Sequence, residues 1–317
     1  MRMIPLDRRR FLLVTGKGGV GKTTTTAALA VALGHSGRRV LVAACDERER
    51  LSNLFGVPPL TGEIRPLQRN IFGVKLIPAD SMREYGALKL RSWKVFSAVF
   101  NRRTVQRFLA GVPGLSEWAM LGKAWYHSTE MGAHGQPRFD VVLFDAPATG
   151  HALDMLRVPL VILDVAPPGI LRRDAEHALT MFRDPSLSGV VVVALPEELP
   201  ATETLELVAA LRTDLRLPIA RLVVNAVVET LFTPEERQLL GPLVEMNAST
   251  PADAAVLAAA YRAVREQVQA EAMERLAQLD CPWTVLPFLT NRAGGQEAVS
   301  RLAKAFLGSW QTPATAE

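Results

Sequence analysis

Eight consecutive residues near the start of the chain have the types and spacing needed to hold phosphate groups: Gly16-Lys17-Gly18-Gly19-Val20-Gly21-Lys22-Thr23. They fit the phosphate-loop pattern, in which a glycine and four further residues precede Gly-Lys-Thr. Glycines let the backbone curl so that successive N–H groups point at phosphate oxygens. Lys22 is then expected to neutralise the outer phosphates, and the Thr23 hydroxyl to bind Mg²⁺. The chemistry predicted is the binding of a magnesium–nucleotide complex.

The flanking segments have the patterns that such a loop requires. The apolar run Phe11–Val14 predicts a buried strand before the loop, and the apolar residues from Ala27 to Leu33 predict a helix after it. A glycine-rich turn that holds a lysine by chance is the alternative, and this context disfavours it. The predicted phosphate contacts are Gly18, Gly19, Val20, Gly21, Lys22, Thr23 and Thr24.

Apolar, β-branched runs recur between helical stretches along the chain. We predict strands at 11–15, 40–44, 74–77, 141–145, 189–195, 222–225 and 284–286. Several are apolar throughout, as in parallel strands that are covered on both faces. The fold class predicted is α/β: a doubly wound, mainly parallel sheet with helices on both faces, of the P-loop NTPase type, with a helical insertion.

We predict a single P-loop ATPase domain over residues 1–317, with a helical insertion at about 81–135 and a helical hairpin at about 233–279. Ligands of such sheets bind beyond the carboxyl ends of the strands. The phosphate loop, Asp46 and Asp145 all follow predicted strands at that edge.

Composition restricts the classes of function. The 317 residues are 49% hydrophobic and 21% charged, with a net charge of +4, which is too weakly basic to favour a nucleic-acid partner. Cys45 and Cys281 are the only cysteines and form no Cys-x-x-Cys pair, which fits a reducing cytoplasm. The basic run Arg8–Arg10 is expected to be a solvated lead-in to the first strand, and no apolar run has the length of a membrane span.

Several motifs together resemble one family. The loop, with a second lysine at Lys17, resembles the deviant phosphate loop of the dimeric ATPases related to MinD and nitrogenase iron protein. Asp145-Ala-Pro-Ala-Thr-Gly-His-Ala-Leu153 resembles the second switch of the arsenite-pump (ArsA) and tail-anchored-protein-targeting ATPases. Their Pro-Gly-x-x-Glu element is similar to 113–117, and their Pro-Glu…Glu-Thr segment to 196–204.

The resemblance implies a role for each matching residue. Lys17 would cross a dimer interface to the partner's nucleotide, a solvent-exposed lysine being the alternative. Asp145 would hold Mg²⁺ through water, and Asp46 would orient the attacking water, although either could instead cap a helix. The remaining implied roles belong to the switch residues Thr149, Gly150 and His151 and to the adenine contacts Asn225, Pro287 and Phe288. His151 could equally be structural, and Asn225 could simply cap a turn.

Three features of the sequence bear on the partners of this protein. Its first switch reads Asp-Pro-Ala-His, whereas this chain has Asp46-Glu47-Arg48-Glu49-Arg50. A metalloid site needs several thiolates, so we expect no metalloid. The segment Leu88–Phe108 carries aromatic residues at helical spacing among basic ones. It could bind a partner helix, an anionic membrane surface or nucleic acid, or form an ordinary amphipathic helix.

We therefore predict magnesium-dependent ATP hydrolysis by a cytoplasmic, homodimeric nucleotide switch that binds or delivers a protein client, one that carries an apolar helix. The alternative is a MinD- or ParA-like ATPase whose output is binding to a membrane or to DNA. A small-molecule kinase is a third reading, in which Lys17 has no obvious use.

Overall fold

A computed structural model describes residues 5–45, 49–90, 114–132, 135–147, 149–289 and 295–311. Its centre is one sheet of eight described strands. These are β1 (Phe11–Thr15), β2 (Val40–Ala44), β3 (Arg65–Gln68), β4 (Ile71–Lys75), β5 (Val141–Asp145), β6 (Ser188–Ala194), β7 (Ile219–Val227) and β8 (Trp283–Pro287).

The strand order is β3-β4-β2-β5-β1-β6-β7-β8. Every neighbouring pair is parallel except β3 and β4, which are antiparallel at one edge. The carboxyl ends of the parallel strands therefore share one edge, where ligands of doubly wound sheets bind. Strands β2 to β5 lie on one side of β1, and β6 to β8 lie on the other. The loop after β1 therefore lies at the centre of that edge.

Helices cover both faces of the sheet, and each face has its own apolar core. The described helices are α1 (Lys22–His35), α2 (Leu51–Phe55), α3 (Pro78–Leu90), α4 (Leu115–Thr129), α5 (Thr149–Val165), α6 (Ile170–Arg183), α7 (Glu198–Thr213), α8 (Pro234–Leu240), α9 (Pro251–Ala277) and α10 (Gln296–Gln311). One face packs against α1 and α10, and the other against α4 to α7 and the end of α9. The predicted fold class is confirmed.

The sequence patterns misplaced one strand and missed another. The strand predicted at 74–77 is β4, which runs from Ile71 to Lys75. Gly73 interrupts the apolar run there, because the side chains of Leu60 and Leu67 pack where its Cβ would be. β3 was missed because it is an edge strand that contains Pro66 and buries only Leu67.

The expectation that Arg8–Arg10 is a solvated lead-in is wrong for two of its three residues. Arg9 is only 6% exposed. The Arg10 guanidinium is half-buried, and its Nη2 donates to the carbonyl oxygen of Ser128 at 2.6 Å. Arg10 thus anchors the amino end of β1 inside the protein.

The regions predicted to be helical contain helices where the structure describes them. The first holds α3 and α4, and most of the basic aromatic segment Leu88–Phe108 lies outside the described residues. The region predicted at about 233–279 holds α8 and α9, and each of these helices begins with a capping box. In α9 the capping box is formed by Thr250 and Asp253. None of the helices in the described part of the chain is long and apolar enough to cross a membrane.

Candidate functional site

The phosphate loop joins the end of β1 to the start of α1, in the strand–loop–helix context that the sequence predicted. Gly16 and Gly21 have φ values of 155° and 90°, which favour glycine. A Cβ at Gly16 would overlap the carbonyl oxygen of Val193, and one at Gly21 would overlap Nδ2 of Asn225. Neither glycine can therefore be replaced without moving the loop.

Two hydroxyl groups of α1 converge on Asp145 at the end of β5. Thr23 Oγ1 donates to one carboxylate oxygen at 2.8 Å. Thr26 Oγ1 lies 3.1 Å from the other carboxylate oxygen and 2.9 Å from the carbonyl oxygen of Lys22, and its one proton can be donated to either. Asp145 is only 2% exposed. Since Thr23 and Thr26 are three residues apart, they lie on one face of the helix. The pairing fixes the start of α1 against β5 and joins the phosphate loop to the acid predicted to act with it.

The donors at this point suit a hard cation. A threonine hydroxyl and a carboxylate provide oxygen ligands, which Mg²⁺ prefers, and nucleotide phosphates and water normally complete its shell. Among the described residues no group of three His, Cys, Asp or Glu side chains could hold a metal alone. Cys45 is nearby, but burial and then the charge of Asp145 raise its pKa well above the usual value, so it stays a neutral thiol.

Lys22 lies at the first position of α1, and its Nζ donates to the carbonyl oxygen of Lys17 at 2.9 Å. Its ammonium group is therefore folded over the loop that would hold the phosphates. A cation in that position faces the same space as the loop N–H groups, which is the arrangement that binds the outer phosphates of a nucleotide.

Asn225 contacts the phosphate loop directly. Its Nδ2 donates to the carbonyl oxygen of Val20 at 2.9 Å, across 205 residues of sequence. The pairing of β7 with β8 shifts register between Val224 and Val227, and Ala226 there has a φ of 58°. This bulge lies next to Asn225 and aims its side chain at the loop. Asn225 is therefore a support of the loop, and adenine recognition by its amide stays a prediction.

Pro287 and Phe288 lie at the end of β8. Phe288 is 42% exposed, and the guanidinium of Arg265 lies 4.6 Å from its ring centre. Neither residue lines the cleft around the phosphate loop, as far as the described residues define it. Their predicted contact with adenine also stays a prediction.

Lys17 forms an ion pair with Glu203 of α7, with Nζ 2.9 Å from Oε1. The side chains are 33% and 29% exposed, so the pair lies at the surface. Within the described residues, Gly18 and Gly19 line the phosphate cleft but Lys17 does not. The side chain of Lys17 thus points away from its own phosphate site.

An open cleft of about 1160 Å³ runs from the phosphate loop toward the ends of β2, β4 and β5. Its wall beyond the loop includes Lys75, Glu117, Met120 and Met155. The volume exceeds the upper end of typical small-ligand pockets, about 1,000 Å³. The cleft therefore has room for a nucleotide's phosphates and for further groups beside them.

The two predicted switch segments follow β2 and β5. Asp46 lies outside the described residues, although β2 ends at Ala44, two positions before it. Thr149, Gly150 and His151 form the first turn of α5, four to six residues after Asp145. Their backbone is thus near the phosphate edge, as a switch segment requires.

Two residues of the site had no role in the sequence prediction. Thr26 shares Asp145 with Thr23, and the helical spacing of the threonine run was the available signal. Glu203 belongs to a segment that the family resemblance marked, but nothing in the sequence paired it with Lys17. The contact forms because the fold brings α7, which carries Glu203, beside the phosphate loop.

Comparisons with known proteins identify relatives of this chain. A model of the anion-transporting ATPase family matches residues 9–166. ATPase BagA of Mycobacterium tuberculosis is 30% identical over 239 residues, which cover 72% of this chain and 68% of that protein. ATPase GET3C of Arabidopsis thaliana is 26% identical over 270 residues, covering 70% and 68%. A putative arsenical pump-driving ATPase of Halobacterium salinarum is 27% identical over 243 residues, covering 70% of this chain and 36% of that protein.

Proposed function

This chain belongs to the anion-transporting (ArsA/GET3-type) ATPase family and hydrolyses ATP, and from this premise we propose that it works as a two-subunit, nucleotide-gated switch. The observation that carries the proposal is the direction of Lys17, which leaves its own phosphate site and reaches the surface at Glu203.

In this proposal the phosphate loop binds the nucleotide of its own subunit. Backbone N–H groups of Gly18 to Gly21 surround the phosphates, and Lys22 leaves the Lys17 carbonyl to neutralise the outer ones. Asn225 keeps the loop in its curled form by holding Val20. The loop is thus preorganised, so little reordering is required when the nucleotide binds.

Thr23 and Asp145 would hold Mg²⁺, Thr23 through its hydroxyl and Asp145 through a water molecule. The ion supplies charge neutralisation at the phosphates. Their direct hydrogen bond at 2.8 Å shows that both side chains already face the same point. Thr26 holds the other carboxylate oxygen of Asp145 and fixes its orientation.

Lys17 would act on the nucleotide of the second copy. An ammonium group at the mouth of the loop can cross a face-to-face interface and stabilise the charge that develops on the transferred phosphoryl group. Asp46 would orient the attacking water, and the Thr149–His151 segment would respond to loss of the outer phosphate. Hydrolysis would then release the two subunits.

We infer that the output is the capture or release of a protein client that carries an apolar helix. The resemblance to tail-anchored-protein-targeting ATPases supports this, whereas a metalloid cargo lacks its ligands. Cys45 follows β2 at the carboxyl edge of the sheet and Cys281 precedes β8 at the opposite edge, so the two thiols cannot share one ion. The free state of both cysteines fits action in the cytoplasm.

The test is the molar mass in solution with ADP, and with Mg²⁺ and a non-hydrolysable ATP analogue. We expect the analogue to drive dimer formation in the wild type and Lys17→Ala to weaken it. Lys304→Ala removes an exposed lysine of α10, far along the chain from the loop, and serves as the control. A monomer in every nucleotide state, with ATP hydrolysis intact, would refute the two-subunit switch.

A further inference from the structure

The edge of the sheet opposite the phosphate loop holds a buried arginine, Arg9. Arg9 lies just before β1, and its side chain lies against Gly189 at the start of β6. A Cβ at Gly189 would overlap the Arg9 guanidinium, so the absence of a side chain there makes the slot that holds it. β1 has five residues, so this slot lies roughly 15 Å or more from the phosphate loop.

The guanidinium in this slot lacks acceptors. Arg9 is 6% exposed, and its Nε and Nη1 atoms are both buried without a hydrogen-bond partner. Buried N–H groups are nearly always paired, and a charged group left without partners in the interior is strongly unfavourable. Two such groups on one side chain therefore indicate that a binding partner belongs there.

A second arginine next to the slot adds to the imbalance. Arg221, at the start of β7, is half-buried, and its Nε atom is buried without a hydrogen-bond partner. Its Nη1 donates to Thr284 Oγ1 at 3.1 Å, so the side chain is fixed in place. Burial, and then the charge of Arg221, lower the pKa of Arg9. The two cations thus lie close enough for their charges to interact.

The described residues around the pair offer no counter-charge. No carboxylate among them forms an ion pair with either arginine. The nearby thiol of Cys281 does not replace one, because burial raises its pKa and keeps it neutral. The missing partner must therefore come from outside this set of side chains.

We propose that Arg9 and Arg221 form a second anion site, which takes an oxyanion of the phosphate or carboxylate type. Guanidinium groups match the oxygen pairs of both, and a charge-assisted hydrogen bond to a buried guanidinium is stronger than a neutral one. The site is separate from the nucleotide and needs neither dimer formation nor hydrolysis.

The test measures binding of inorganic phosphate, sulfate and acetate by calorimetry in protein saturated with Mg²⁺ and a non-hydrolysable ATP analogue, which fills the phosphate loop including the position of the outer phosphate. We expect one saturable site per chain in the wild type. Its affinity should fall at least tenfold in Arg9→Met and in Arg221→Met. It should be unchanged in Arg39→Met, which removes an exposed guanidinium from the same edge of the sheet. The stronger of phosphate and acetate identifies the preferred class of oxyanion.

Thermal unfolding gives an independent readout. Without added oxyanion, Arg9→Met should unfold at a higher temperature than the wild type, because the unpaired cation is gone. With saturating phosphate or acetate the order should reverse. If Arg9→Met does not fold, Arg221→Met and Arg9→Lys decide the matter. The proposal is overturned if the wild type loaded with the ATP analogue takes up no oxyanion saturably, or if the two methionine variants bind it as well as the wild type.

Discussion

Lys17 Nζ lies 2.9 Å from Glu203 Oε1 of the same chain, and both side chains are about one-third exposed. The pair connects the mouth of the phosphate loop to α7. It holds Lys17 at the surface and directs its side chain away from the nucleotide of its own subunit. Any action of Lys17 across an interface therefore begins with the loss of this contact.

Glu203→Gln should favour the dimer with the ATP analogue, because it removes an ion pair that each subunit has to break. An exposed pair contributes about 0.2–1 kcal/mol, and two pairs are lost per dimer. We therefore expect the dimer dissociation constant to fall by about 2- to 30-fold, measured by sedimentation equilibrium.

Glu206→Gln is the matched control, because it changes an exposed carboxylate one turn along the same helix. Combined with Lys17→Ala, Glu203→Gln should have no further effect. If Glu203→Gln instead weakens the dimer, Glu203 helps Lys17 within the interface and the pair is not a resting-state contact.

Asn225→Ala should lower nucleotide affinity by up to about tenfold, because the loss of one such hydrogen bond costs about 0.5–1.5 kcal/mol. The hydrogen bond to Val20 does not involve the base. The affinities for ATP and for GTP should therefore fall by the same factor, measured by calorimetry with Mg²⁺ absent and present.

The ratio of the two affinities separates the two roles considered for Asn225. An unchanged ratio means that the amide supports the loop. A loss confined to ATP would show that the amide reads adenine, and would make the contact with Val20 incidental to binding.

The two roles of Asn225 differ in what a sequence can predict, because its contact with Val20 joins segments that are far apart in the chain. Local patterns located the phosphate loop, β1, β2 and β5, because continuous apolar runs and glycine spacing are properties of neighbouring residues. The contacts of Lys17 with Glu203 and of Asn225 with Val20 join distant parts of the chain, and only the strand order brings them together. Arg9 was misjudged for the same reason, since its slot depends on a glycine of β6.

Asp145→Asn should reduce ATP turnover by about 10²-fold or more, the scale of losing one charged group preorganised for the transition state. It should also raise the Mg²⁺ concentration needed for half-maximal rate. Thr26→Val removes the second hydroxyl bond to the carboxylate but leaves its charge, so its effect should be much smaller. Equal losses in both variants would show that Asp145 acts only by fixing α1.

Ala226→Gly should stabilise the protein, in contrast to most substitutions by glycine. Ala226 has a φ of 58°, where a residue with a Cβ is less stable by about 1–2 kcal/mol. Glycine removes that strain but adds about 0.5–1 kcal/mol of conformational freedom to the unfolded chain. The net gain expected in the free energy of unfolding is about 0.5–1 kcal/mol, measured by denaturant titration. Ala209→Gly, at an exposed position inside α7, should lose about 1 kcal/mol. A loss at Ala226 as large as that at Ala209 would mean that the bulge beside Asn225 is not strained, and that its shape is set by the pairing of β7 with β8 alone.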